Sequence, residues 1–161
     1  MKRCADFMRS YRGYACRHFG NRNGMASCYN MAMTNLMENF VIDHGKSSIT
    51  PNYPSLDFSR GNLLAPIPLS IKLASADSLA IEWQNNAAAN TEREGDRAQI
   101  LVAAEGESTT FFIENAATRS DTSYSLALPI NFQGKPIHVW MAFRSENDEM
   151  VSNSQYAGSL S

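Results

Sequence analysis

From Ile67 to the C-terminus, apolar and polar residues alternate in short runs. Leu69, Ile71 and Leu73 alternate with polar or small residues, and so do Leu79, Ile81 and Trp83. A period of two marks a strand with one buried face. Seven such runs follow: Ile67–Ala74, Ser78–Gln84, Ala98–Ala104, Thr109–Glu114, Ser123–Leu128, Ile137–Ser145 and Met150–Gly158. Turn formers separate them at Ser75-Ala76-Asp77, the Asn85-to-Asp96 loop, Gly106, Asp121, Gly134 and Asn147-Asp148. Pro66, Pro68, Pro129 and Pro136 fall at strand starts or ends, where a missing N–H does least harm.

The N-terminal pattern has a different period. Phe7, Tyr11, Tyr14 and His18 recur every three or four residues, which predicts a helix over Arg3–Phe19. Gly13 weakens it by about 1 kcal/mol relative to Ala. The run Gly20-Asn21-Arg22-Asn23-Gly24 stops it. A second helix over Ala26–Val41 carries a stripe of Tyr29, Met33, Leu36 (or Met37) and Phe40. Two short helices bury little alone and must pack on something. Asp43-His44-Gly45-Lys46-Ser47-Ser48, with Pro51 and Pro54 beyond, reads as an extended linker.

The expectation is a mainly β protein. Residues 61–161 form a seven-stranded Greek-key sandwich of the immunoglobulin or fibronectin type III kind. A two-helix head occupies residues 1–44, and residues 45–60 form the linker.

Composition adds little except through charge. The apolar content of 43% is that of an ordinary globular chain. No apolar run reaches the roughly 18 residues of a membrane span. Arg9, Arg12 and Arg17 interrupt any signal-peptide core, so synthesis in the cytoplasm is the default expectation, and the final location is open. The net charge of −2 hides an asymmetry. Up to Gly24 the cations are Lys2, Arg3, Arg9, Arg12, Arg17 and Arg22, against Asp6 alone. The body carries an excess of Asp and Glu. Such a head either docks on its own acidic body or meets an anionic partner. Arg9, Arg12, Arg17 and Arg22, interleaved with Tyr11, Tyr14 and Phe19, are the candidate contacts for a polyanion such as nucleic acid.

Chemistry-bearing motifs are weak. Cys4, Cys16 and Cys28 are odd in number and hold no C-x-x-C pair, so neither a disulfide framework nor a zinc finger is signalled. Gly45-Lys46-Ser47 lacks the upstream glycine of a phosphate-binding loop, since Phe40 stands there. His18, His44 and His138 are far from any nucleophile signature. The run Glu92-Arg93-Glu94-Gly95-Asp96 reads as a solvated acidic loop tip rather than a calcium loop. No enzyme activity, cofactor or metal is expected.

Trp83 is the expected central aromatic of the sandwich. Trp140 shares the opposite face of its strand with His138 and Ala142. Leu101 and Ala103, or Ile100 and Val102 in the other register, lie beside it. An outward tryptophan is either covered by the head or marks an interaction surface. The candidate surface is Trp140, His138 and Leu101 on the body with Tyr29, Met33 and Phe40 on the head. The head stripe is expected to bury against the sheet carrying Trp140, in the same chain or a second copy.

Four segments carry a family resemblance: Asn62-Leu63, Thr118-Arg119-Ser120-Asp121, Tyr124-Ser125-Leu126-Ala127-Leu128-Pro129 and Val151-Ser152-Asn153-Ser154-Gln155-Tyr156-Ala157-Gly158. From about Ala26 onward the chain resembles an uncharacterised family common in Bacteroidota, with a basic helical head and a C-terminal sandwich. Typical members begin with a further basic segment bearing an Asn-Pro-Arg-Thr-like motif. The resemblance therefore implies an N-terminally truncated chain. The family's head is loosely similar to that of small phage-encoded proteins thought to be virion parts. The resemblance implies a non-catalytic structural or interaction module, in a phage-like or cell-surface assembly, with a protein partner or self-association. The alternative is polyanion binding through the basic helix.

Overall fold

The computed structural model describes residues 1–20 and 26–161. The break expected at Gly20–Gly24 falls mostly outside the described residues. The head holds helices α1 (Lys2–Met8), α2 (Arg12–His18) and α3 (Cys28–Asn39). The continuous helix expected over Arg3–Phe19 is split by a 3-10 turn at Arg9–Tyr11. Side chains of the body hold the split. Thr110 Oγ1 donates to the Phe7 carbonyl at 2.8 Å, so Ser10 Oγ donates to Thr110 Oγ1 at 2.6 Å. Ser27 caps α3 by accepting the Asn30 N–H at 3.1 Å.

The protein is mainly β, with nine strands among the described residues rather than seven. The two extra strands form a hairpin: β1 (Phe40–Asp43) begins where the second helix was expected to run on to Val41, and β2 (Ser48–Pro51) lies in the expected linker. Asp43 Oδ1 closes its loop by accepting the N–H of Gly45 and of Lys46. The Asx-turn chemistry of Asp43 thus turns a Gly/Ser-rich stretch into a hairpin.

Seven strands make the sandwich. Three form one sheet in the order β3 (Pro68–Ser75), β4 (Ser78–Trp83), β7 (Ser123–Ala127). Four form the other in the order β6 (Phe111–Ile113), β5 (Arg97–Ala104), β8 (Ile137–Arg144), β9 (Gln155–Leu160). β9 begins later than expected. Val151 instead bridges Arg144, and Ser152 bridges Leu63, which ties the segment before β3 to the sheet.

Between the sheets lies one core, built on Leu79, Ile81, Trp83, Ile100, Val102, Val139, Met141 and Phe143. A second core lies on the other face of the four-stranded sheet. There Leu101, Ala103, Trp140 and Ala142 pack against Phe7, Tyr11, Tyr14, Phe19 and Leu36. Every residue of β8 is buried, as is every residue of β5 after Arg97. The molecule is thus three layers: sheet, sheet and head. Leu69 and Leu73 depart from the expected burial and are exposed. β3 is an edge strand with irregularities on both sides of its centre, and Gly158 of β9, without a side chain, lies beside Ile71.

Candidate interaction surface

The strand period explains why Trp140 faces away from the sandwich core. Ile137, Val139, Met141 and Phe143 point into it, so His138, Trp140 and Ala142 point out. The register sets Leu101 opposite Trp140 and Ala103 opposite His138. In this chain the head covers that face. Trp140 is 1% exposed. Phe7 meets its ring edge-on at 6.3 Å and also meets Phe40 at 5.7 Å. The indole N–H finds no acceptor among the described residues. Leu101 and Met33 are buried, and Tyr29 and Phe40 are half-buried against the same cluster. The expected face of Trp140, Leu101, Met33 and Phe40 is therefore an internal joint between head and sheet. Met37 of the alternative stripe points to solvent.

His138 is held on three sides. Tyr53 stacks on its ring with centroids 3.7 Å apart and planes 6° apart. Nε2 lies 2.9 Å from Glu105 Oε1, and Nδ1 lies 2.7 Å from the Tyr156 hydroxyl. A carboxylate only accepts, so Nε2 carries the hydrogen, and in the neutral ring Nδ1 accepts from Tyr156. Burial pushes both tyrosines above the usual phenol pKa, with Glu105 adding to the effect. Both imidazole nitrogens are engaged, so the ring acts as a clasp that fastens the Tyr53 turn to the sheet.

That clasp and Phe40 fix the root of the β1–β2 hairpin, while its blades stay open. Val41 is 56% exposed, Ile42 58% and Ile49 40%. A groove of about 790 Å3 runs beside the hairpin, lined by every residue from Ser47 to Pro51 and by Arg3, Tyr53 and Glu105. Successive strand residues face opposite sides. A groove that all of them line therefore runs along the free edge of β2, not across one face.

The candidate polyanion contacts do not converge. Arg9 pairs with Asp6. Arg12 lies over the Tyr29 ring at 5.2 Å. Arg17 sits at the far end of α2, with Nε on the Gly13 carbonyl at 3.3 Å. Arg22 lies outside the described residues. Cys4 is buried, Cys16 exposed and Cys28 half-buried, all free thiols. Among the described residues no group of three or more His, Cys, Asp or Glu is placed to hold a metal ion. Nor, among them, is any helix long and apolar enough to cross a membrane.

One feature was missed from sequence. Asp96, expected on a solvated loop tip, is fully buried. Its partner is Arg119, also fully buried, with Nη2 on Asp96 Oδ2 at 2.9 Å. The same guanidinium donates to Arg93 O, Asn86 Oδ1 and Leu64 O, and lies over the Phe143 ring at 3.9 Å. The signal was the tetrad Thr118-Arg119-Ser120-Asp121. Its Thr and Asp cap a 3-10 turn reciprocally, and that turn presents Arg119 inward.

Residues 1–158 match the protein family described as "Family of unknown function (DUF6266)". No curated protein matches in sequence. Among solved structures, an fn3 domain of human contactin 1 is similar, with 11% identity and a TM-score of 0.39, covering 64% of this chain and 76% of that one.

Proposed function

We propose that this chain, which belongs to the family of unknown function DUF6266, is a non-catalytic interaction module whose recognition arm is the β1–β2 hairpin. The observation behind this reading is the hairpin's incompleteness. It is a two-stranded sheet with both edges unpaired among the described residues and three large aliphatic side chains in solvent. Such a ribbon is marginal in water until a third strand or a packed face completes it.

The occupant we assign is an extended segment of a partner protein, added along β2. Asn52 N donates to Asn39 O at 2.7 Å, which fixes the phase of the ladder. Thr50 then bonds inward to Val41, while the Ile49 N–H and C=O face the groove. Pro51 stands where the next outward N–H would be and supplies none. That proline limits promiscuous edge pairing and makes Ile49 the principal docking point. Arg3, which has no ion-pair partner among the described residues, gives the groove a cation for an acidic residue of that segment. The setting in which we expect such a module is a phage-like or cell-surface assembly. Capsid, tail or surface genes beside its own would support that setting, and metabolic neighbours would contradict it.

The test places a photo-crosslinking residue at Ile42 and, as a remote control, at Ile130, in cells of the source organism. One partner should attach at Ile42 and not at Ile130, and should bind the chain again when both are purified. Ile49→Pro removes the outward donor without touching the β1 ladder and should abolish that binding. Equal cross-linking at both positions, or undiminished binding by Ile49→Pro, overturns the reading. A cross-link of the chain to itself would replace the partner with a second copy and equally overturn it.

A further inference from the structure

At the end of β8 remote from the hairpin groove, α2 gives way to a short parallel bridge. Arg60 N donates to His18 O at 3.1 Å and Gly20 N to Arg60 O at 2.8 Å. This bridge and the segment before β9 wall a cavity of about 390 Å3. Its polar lining includes Arg17, His18, Arg60, Asn62, Glu149 and Asn153.

Asp57 offsets Arg60 there, whereas Arg17 has no such partner among the described residues. Arg17 spends one N–H on the Gly13 carbonyl, and its terminal nitrogens have no ion-pair partner among the described residues. Arg60 meets Asp57 through Nε and Nη2, which leaves Nη1 uncommitted. Asn153 Oδ1 accepts the Gly61 N–H, so its amide hydrogens remain available. Glu149 is the one carboxylate of the lining among the described residues. Partial burial pushes His18 below the usual value, and Arg144 and Arg17 push it further, against smaller opposing effects of Asp148 and Glu114. Tyr14, at a ring distance of 4.7 Å, covers another side of it.

We infer that this cavity binds a single small oxyanionic group, a phosphate or a carboxylate, between the guanidinium groups of Arg17 and Arg60. Guanidinium forks match the oxygen spacing of both groups and make the stronger, charge-assisted hydrogen bonds. Arg17, with its terminal nitrogens free of any ion pair among the described residues, and the open edge of Arg60, whose other edge Asp57 occupies, favour one anionic group. Glu149 works against a polyanion that would run on past the cavity. The site is separate from the hairpin, so its failure would leave the interaction reading intact.

The test is an NMR titration of the His18 ring in the full chain with sodium phosphate and, separately, sodium acetate, at constant ionic strength set by chloride. Saturable shifts of the His18 resonances are expected, together with a rise in its pKa, because a bound anion favours the imidazolium. Arg17→Gln, at an exposed position, should weaken binding about tenfold or more. Glu149→Gln should tighten it. Tighter binding of phosphate assigns a tetrahedral group, and tighter binding of acetate a carboxylate. A response that does not saturate, or one that is unchanged in Arg17→Gln, overturns the inference. So does duplex DNA displacing phosphate at far lower concentration, since that would make the ligand a polyanion.

Discussion

Arg119→Met tests how much of the sandwich depends on one buried cation. Arg119 and Asp96 are both 0% exposed, 2.9 Å apart, and come from two different loops. The guanidinium also satisfies Arg93 O at 3.1 Å, Asn86 Oδ1 at 2.6 Å and Leu64 O at 2.8 Å. It therefore ties together the long loop before β5, the turn before β7 and the entry to β3. Burial draws its pKa below the usual guanidinium value and Asp96 pulls it back, so it stays charged near neutral pH. Methionine keeps the apolar stem over Phe143 but strands Asp96, whose Oδ1 already lacks a hydrogen bond and has only Arg93 Nη1 at 3.6 Å. Removing one member of a buried pair costs about 3–5 kcal/mol. That is a large share of the roughly 5–15 kcal/mol that holds a domain folded. Urea unfolding followed by circular dichroism should show a lower midpoint at unchanged slope. The melting temperature should fall by roughly 6–20 °C for a chain of this size. The double variant Asp96→Asn/Arg119→Met should recover part of the loss, because it no longer buries an unpaired charge. An Arg119→Met chain within about 1 kcal/mol of the parent would refute the reasoning, since surface substitutions cost no more than that.

Trp83→Ala should cost about 3–5 kcal/mol by urea unfolding, because the ring fills the core beside Phe143 and its N–H holds Arg119 O at 3.0 Å. Gly61→Ala should also destabilise, by at least about 1–3 kcal/mol, because its Cβ would lie 2.1 Å from the Val151 carbonyl oxygen, a backbone atom that cannot step aside. The His18 pKa is lower folded than unfolded, so the unfolded chain takes up its proton first. Stability should therefore fall as pH drops through the unfolded value of about 6.5, and level off below the folded value. The slope of the urea midpoint between pH 5 and 8 should be shallower in His18→Gln than in the parent.

The sandwich was legible because its strands obey period two. Leu79, Ile81 and Trp83 are all buried, as the pattern required. The outward face of β8 followed from the same parity, whereas its pairing with Leu101 and Ala103 was one of two registers left open by the pattern, and it is the one adopted. The head stripe was readable too, with Leu36 rather than Met37 turned inward. The hairpin was not, because Phe40-Val41-Ile42 is too short to declare a period. Its turn depends on one side chain, Asp43, amid residues that also make linkers. The split in the first helix hangs on Thr110, a hundred residues away in sequence, and no local pattern reports that. The burial of Asp96 was hidden by its acidic neighbours. Glu92 faces solvent and Glu94 is half-buried, and only the distant Arg119 makes their neighbour an interior residue.

The three-layer arrangement is tested most directly by the fluorescence of Trp140. Trp83→Phe leaves Trp140 as the only indole, and the head is what covers it. In that chain the emission should be that of a sheltered indole, with little quenching by acrylamide. Replacing Phe7 and Tyr11 by Ser, which strips two aromatic groups from the covering layer, should shift the emission red and admit the quencher. A Trp140 that is already solvent-exposed in the Trp83→Phe chain, or that is unmoved when Phe7 and Tyr11 are replaced, would contradict a head layer packed on the sheet.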